Sequence, residues 1–143
     1  MGLEDVYTEL VSEHSRCPEN RHPLDCATCS CKGHNPSCGD EITLHLDIAD
    51  GIVKDASFEG VGCAISQAST DMMVDLIRGK RTEEAHALAQ KFIGMIKGEI
   101  TDEAELEDLD EALALKGVSH MPARVKCAVL AWHTLDEALK DEK

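Results

Sequence analysis

The chain is poor in aromatic residues, with two Phe, one Tyr and one Trp among 143. A core must therefore be filled by Leu, Ile, Val, Ala and Met, and 43% hydrophobic content suffices for one domain. Basic residues are also scarce. Fourteen Lys and Arg stand against twenty-eight Asp and Glu, a net charge of -14. That balance repels phosphates and argues against nucleic acid and against an anionic membrane surface. A macromolecular partner should present a basic or neutral face. The same acid also serves solubility alone. No apolar run reaches the roughly 18 residues of a membrane helix. The opening MGLEDVYTEL has early acids and no basic stretch, unlike a secretory signal.

Cysteine is what the chain has in excess. Seven cysteines, an odd number, without an export signal point to thiols and metal in a reducing cytoplasm rather than to disulfides. Five of them, Cys17, Cys26, Cys29, Cys31 and Cys38, fall within residues 16–40, together with three of the four prolines. No periodicity survives in that stretch, which reads as a long Cys-rich loop, and a loop of that length suggests function or a bound ion.

Around the loop the pattern is regular. Leu3, Val6, Tyr7, Leu10 and His14 have helical spacing over 3–15. Ile42, Leu44, Leu46 and Ile48 alternate with Thr43, His45 and Asp47, as in a half-buried strand. Asp50-Gly51 is a two-residue hairpin turn, and IVKDASFEG returns as a second strand. VGCAI either completes a third short strand or enters the next helix. The remainder is helical, with stripes Ile65-Ala68-Met72-Leu76 and Ala85-Leu88-Ala89-Phe92-Ile96 punctuated by Gly79 and Gly98. The acidic segment TDEAELEDLDEALAL offers Leu106, Leu109 and Leu113. A last helix carries Val125, Val129, Trp132, Leu135 and Leu139, with Pro122 in its first turn. Strands first and helices after describe one α+β domain over 1–143, with a small antiparallel sheet covered on one face.

Cys38 and Asp40 close the loop before the first strand, Cys63 follows the second, and Cys127 lies early in the last helix. Each stands near an element end, so folding could gather them. Three thiolates and a carboxylate suit Zn²⁺ or iron in a cluster. Arg124 and Lys126 add positive charge beside Cys127, which favours a thiolate. By spacing alone, each cysteine could equally be a small core residue.

The phrases NPSCGDEI, FEGVGCAISQAS and MPARVKCAVLAW resemble the IscU/NifU-like iron–sulfur cluster assembly family, and more closely its SufU-type branch. The resemblance runs the length of the chain. It implies an α+β fold, a three-stranded antiparallel sheet packed by about five helices. It implies Cys38, Asp40, Cys63 and Cys127 as metal ligands. Two features resemble the SufU type: an extra helical segment at about 98–117, and Lys126 where the IscU type has a His. On that resemblance the protein is a sulfurtransferase-like acceptor of persulfide from a cysteine desulfurase. Zinc sits in the pocket, Cys38 is the acceptor, and Arg124 steers the displaced thiolate. The IscU-type alternative is a non-enzymatic scaffold that assembles a [2Fe–2S] cluster and passes it to a downstream acceptor.

The run Cys26-Cys29-Cys31, with Cys17, departs from the family's pattern. It could form a second metal site or a sulfur relay. A closed Cys₄ zinc site in an interaction module is a competing reading, and a Cys26/Cys29 thiol–disulfide enzyme is another. His22 and His34 read as surface residues, His45 as a polar-face residue and Trp132 as core.

Overall fold

The computed structural model describes residues 3–36, 39–100, 102–120 and 122–140, without the side chains of 3–8, 10, 103, 110, 111, 114 and 123. Helix α1 spans Leu3–Arg16. Three strands follow: β1 at Cys29–Asn35, β2 at Asp40–Ala49 and β3 at Ile52–Val61. Then come α2 at Ala64–Ile77, α3 at Thr82–Ile96 and a short α4 at Glu103–Leu106. A 3-10 helix at Glu107–His120 leads to α5 at Pro122–Lys140. The sheet is antiparallel in the order β1-β2-β3.

The hairpin forms as its sequence dictates. Asp50 and Gly51 take φ of 55° and 74°, the left-handed pair that a tight two-residue turn needs. Ile42, Leu44 and Leu46 are fully buried on one face of β2. Ile48 is only half-buried, because the register slips between Asp47 and Ile48.

The third strand is not VGCAI. Val61 ends β3 and Ala64 begins α2, so that phrase turns from strand to helix. The added strand is β1, inside the stretch read as a loop. Cys29, Cys31 and Gly33 alternate inward with Ser30, Lys32 and His34 outward. The inward residues are small because α5 lies against them. A Cβ on Gly33 would sit 2.0 Å from Thr134 Oγ1.

Helix α2 is the centre of the helical layer. Ile65 through Val74 are all buried, so it shows no solvent face there. Its buried polar groups are mostly bonded. Ser69 Oγ donates to the Ala128 carbonyl and accepts from Trp132 Nε1, and Thr70 Oγ1 donates to the Ser66 carbonyl. Among the described residues, Ser66 Oγ and the Gln67 amide have no partner. Trp132 is buried and stacks on Phe92 with centroids 4.2 Å apart.

The acidic segment follows a different period from the one its leucines suggest. The buried residues are Leu106, Leu109, Ala112, Leu115 and Val118, every third position. A 3-10 helix has three residues per turn, so this spacing lines them on one face. Leu113 is left half-buried at the margin.

Candidate metal centre

Asp40, Cys63 and Cys127 converge where β2 begins, α2 begins and α5 completes its first turns. Their ligand atoms all lie within 4.8 Å of one another. Cys38 lies outside the described residues. Asp40 and Cys127 are fully buried and Cys63 half-buried, so the cluster opens to solvent on the Cys63 side.

Each position has a local cause. Asp40 is the first residue of β2, paired in register with Asn35 at the end of β1. Cys63 is the N-cap of α2, and its Sγ accepts the backbone N–H of Ser66 at 3.5 Å. The sulfur therefore faces the positive end of a helix dipole, where an anionic ligand atom is favoured. The backbone N–H of Cys63 donates to Asp40 Oδ1 at 2.8 Å, while Asp40 Oδ2 is 4.0 Å from Cys63 Sγ. Cys127 reaches the cluster from the second turn of α5.

Two glycines make the close approach possible. A Cβ on Gly62 would stand 2.6 Å from Asp40 Oδ1. Gly60, with φ of 139°, would bring a Cβ to 2.1 Å from the Glu41 carbonyl. The sequence did not single out Ser66, whose buried hydroxyl lies at the same junction.

Arg124 stands in the first turn of α5 with its guanidinium at the two sulfurs. Its pKa is raised further, first by the charge of Cys63 and then by a hydrogen bond and charge at Cys127. A fixed cation beside two thiols favours their anionic forms.

Two soft sulfurs, one oxygen and a helix N-terminus, with no Cβ in the way at Gly62, fit a thiophilic ion such as Zn²⁺ or iron. These residues would hold it. The carboxylate is the weaker partner for a soft metal, so the oxygen would be the ligand that exchanges.

Among the described residues, no further cysteine joins this cluster. Cys31 and Cys29 pair with Leu44 and Leu46, four and six residues along the strand from Asn35. At strand rise, Cys29 is roughly 20 Å from that end of the sheet. Both pack against the hydrophobic core. Cys26 is exposed in a turn, and a hydrogen bond to Asp47 pushes its thiol up, toward the less nucleophilic form. Among the described residues, no three of Cys17, Cys26, Cys29 and Cys31 gather as metal ligands.

A second group of ligand-type side chains, unsignalled by the sequence, is His14, Asp71 and Asp75. His14 Nδ1 is 2.5 Å from Asp71 Oδ2, and Asn20 donates to both carboxylates. Arg78 in turn donates to the Asn20 carbonyl oxygen. This network fastens α1 to α2. Among the histidines read as non-ligands, His45 bonds Ser30 Oγ and Glu59 on the polar face of the sheet. His22 and His34 are exposed.

The NifU-like N-terminal domain matches the chain over residues 6–95. The iron–sulfur cluster assembly scaffold protein IscU of Thermotoga maritima is 46% identical over 140 residues, covering 98% of this chain and 96% of that protein. The zinc-dependent sulfurtransferase SufU of Bacillus subtilis is 39% identical over 143 residues, covering 99% and 95%. Among solved structures, a SUF-system cluster assembly scaffold protein from Fervidobacterium islandicum AW-1 superposes with a TM-score of 0.88. It is 36% identical and covers 96% of this chain and 99% of that one.

Proposed function

Since the chain belongs to the NifU-like N-terminal family of iron–sulfur cluster assembly proteins, we propose that it accepts persulfide sulfur from a cysteine desulfurase. The acceptor site is Cys38, Asp40, Cys63 and Cys127. The observation that carries this reading is the convergence of Asp40, Cys63 and Cys127 within 4.8 Å, with Arg124 beside both sulfurs.

Zinc bound there would keep its thiolate ligands anionic at neutral pH. The residues then divide the work. Asp40, Cys63 and Cys127 hold the site, and Cys38 is the thiolate that leaves it to react. Cys38 attacks the outer sulfur of the desulfurase persulfide. A new S–S bond forms on Cys38, the desulfurase S–S bond breaks, and its electron pair returns to the desulfurase cysteine as thiolate. The exchange has no net oxidation. The Arg124 guanidinium offers the displaced Cys38 thiolate a counter-charge. The sulfur then passes to a downstream acceptor, in the reducing cytoplasm that keeps these thiols from forming disulfides.

Two observations favour the SufU type. The B. subtilis relative is named a zinc-dependent sulfurtransferase. Between Cys63 and Cys127 the chain places α4 and a 3-10 helix, and Lys126 precedes Cys127. The alternative, assembly of a [2Fe–2S] cluster as cargo on the same four residues, is favoured by the T. maritima relative named a scaffold.

The deciding experiment is anaerobic purification followed by metal and sulfide analysis. Mass spectrometry follows after incubation with a desulfurase and cysteine. One zinc, no labile sulfide and a sulfur atom gained on Cys38 are expected. Iron with labile sulfide would establish the scaffold instead.

A further inference from the structure

The first turn of α2 carries a polar atom that ought not to be alone. Ser66 is 1% exposed, and its Oγ has no hydrogen-bond partner among the described residues. Native proteins rarely bury a hydroxyl unpaired, because the lost water bonds are not recovered.

Its isolation has a structural cause. Ser66 is the third residue of α2, the position whose side chain in a capping box returns to the N-cap N–H. That N–H, on Cys63, is already held by Asp40 Oδ1 at 2.8 Å. The carboxylate has taken the place the hydroxyl would otherwise fill. The two oxygens remain neighbours. A Cβ on Gly62 would lie 2.6 Å from Asp40 Oδ1 and 3.2 Å from Ser66 Oγ, so both flank the same point. The backbone of Ser66 meanwhile donates to Cys63 Sγ.

Resting on the metal site proposed above, we infer that Ser66 is a positioning residue for Asp40. Its hydroxyl donates to the Asp40 carboxylate when that group turns an oxygen to the metal. Ligating carboxylates are held by hydrogen bonds of this kind, which fix their orientation and tune how tightly they bind. Asp40 is the oxygen in a sulfur-rich set and hence the exchangeable ligand. Ser66 therefore sets how long the metal stays. A hydroxyl with no partner costs stability until the carboxylate turns, then contributes to holding the metal. The sign of its effect reverses on metal binding, which a merely structural serine would not do.

The test loads the full chain with Co²⁺, whose thiolate charge-transfer bands report the site. Wild type, Ser66→Ala and Ser66→Thr are compared. The metal-free Ser66→Ala protein should melt at or above wild type. With Co²⁺ it should bind the same stoichiometry but lose part of the metal-induced rise in melting temperature. It should also release the ion to a chelator about 10-fold faster. Ser66→Thr, which keeps the hydroxyl, should follow wild type. Equal release rates and equal metal-induced stabilisation in wild type and Ser66→Ala would overturn the inference. So would a metal-free Ser66→Ala protein destabilised as much as the loaded one, or a Ser66→Thr protein that behaves like Ser66→Ala. If wild type takes up no Co²⁺, or Cys63→Ser and Cys127→Ser leave its spectrum unchanged, the metal-site reading falls and this inference with it.

Discussion

Asp40 and Cys63 are joined twice, by a backbone N–H donated to Oδ1 at 2.8 Å and by Sγ 4.0 Å from Oδ2. A residue that begins a strand thus helps cap the helix carrying one of the metal-type thiols. The site is not appended to the fold. It is the joint between the sheet and its central helix.

Asp40→Ala therefore separates two effects. The Cys63 N–H loses its acceptor, which should cost about 1–3 kcal/mol of stability in metal-free protein. The site also loses the ligand that Ser66 positions, so metal should leave toward a chelator at least as fast as from Ser66→Ala, about 10-fold faster than from wild type. Melting curves and chelator release rates check the two halves independently. Release slower than from wild type would mean that Asp40 is where a chelator's attack begins rather than what holds the metal.

Gly62→Ala tests the cradle. The new Cβ would sit 2.6 Å from Asp40 Oδ1, and the carboxylate must move. An overpacking cost of about 1–3 kcal/mol is expected, with metal affinity reduced by at least about 10-fold, as when a ligand's support is lost. Gly39→Ala is the control. Unlike Gly62 it has positive φ, and among the described residues nothing lies within 4 Å of its added Cβ, so it reports backbone strain without a clash. If both variants lose metal equally, the cradle is not what matters at Gly62.

Much of this was legible in the sequence, and the reasons for the rest are physical. The three phrases, through the family they resemble, named Asp40, Cys63 and Cys127 together, and the fold does bring these three side chains together. The β2–β3 hairpin was legible because Ile42, Leu44 and Leu46 alternate cleanly and Asp50-Gly51 allows only a tight turn. Strand β1 was hidden because its inward face is Cys29, Cys31 and Gly33, residues that suggest metal or loop rather than strand. The 3-10 helix was hidden because Leu106, Leu109 and Leu113 fit an α-helical stripe, whereas burial runs through Ala112 and Leu115. The His14–Asp71 pair spans 57 residues, and no local pattern records it.

That pair gives the pH prediction. Burial of Asp71 raises its pKa above the ordinary 3.8, against the opposing pulls of His14 and Asn20. A carboxyl whose folded pKa is raised stabilises the fold below its unfolded value, and that contribution is lost as pH rises through the folded value. His14, Asp75 and Arg78 are the titratable or charged groups around it. Wild type minus Asp71→Asn stability, from denaturant melts of metal-free protein, should therefore decline as pH climbs from about 4. A difference that grows with pH there would show that the bonds from His14 and Asn20 outweigh burial.

The cysteine run gives the last prediction. Cys29 and Cys31 lie on the inner side of β1 against the core, with Asn35 and the Asp40 end several residues away. Cys26 is exposed beside Asp47. Replacing Cys26, Cys29 and Cys31 together by Ser should leave the metal of the Asp40–Cys63–Cys127 pocket in place and the rate of sulfur acceptance unchanged. The cost should appear in stability instead. Each half-buried thiol exchanged for a hydroxyl in strand β1 should cost about 1 kcal/mol, because a hydroxyl is the more expensive group to take from water. Cys26→Ser alone, at an exposed turn, should be nearly neutral. Metal analysis and melting of the single and triple variants distinguish the cases. Loss of a separate metal equivalent in the triple variant, with the pocket still filled, would establish a second site at the run. Loss of sulfur acceptance with metal unchanged would make these thiols a relay.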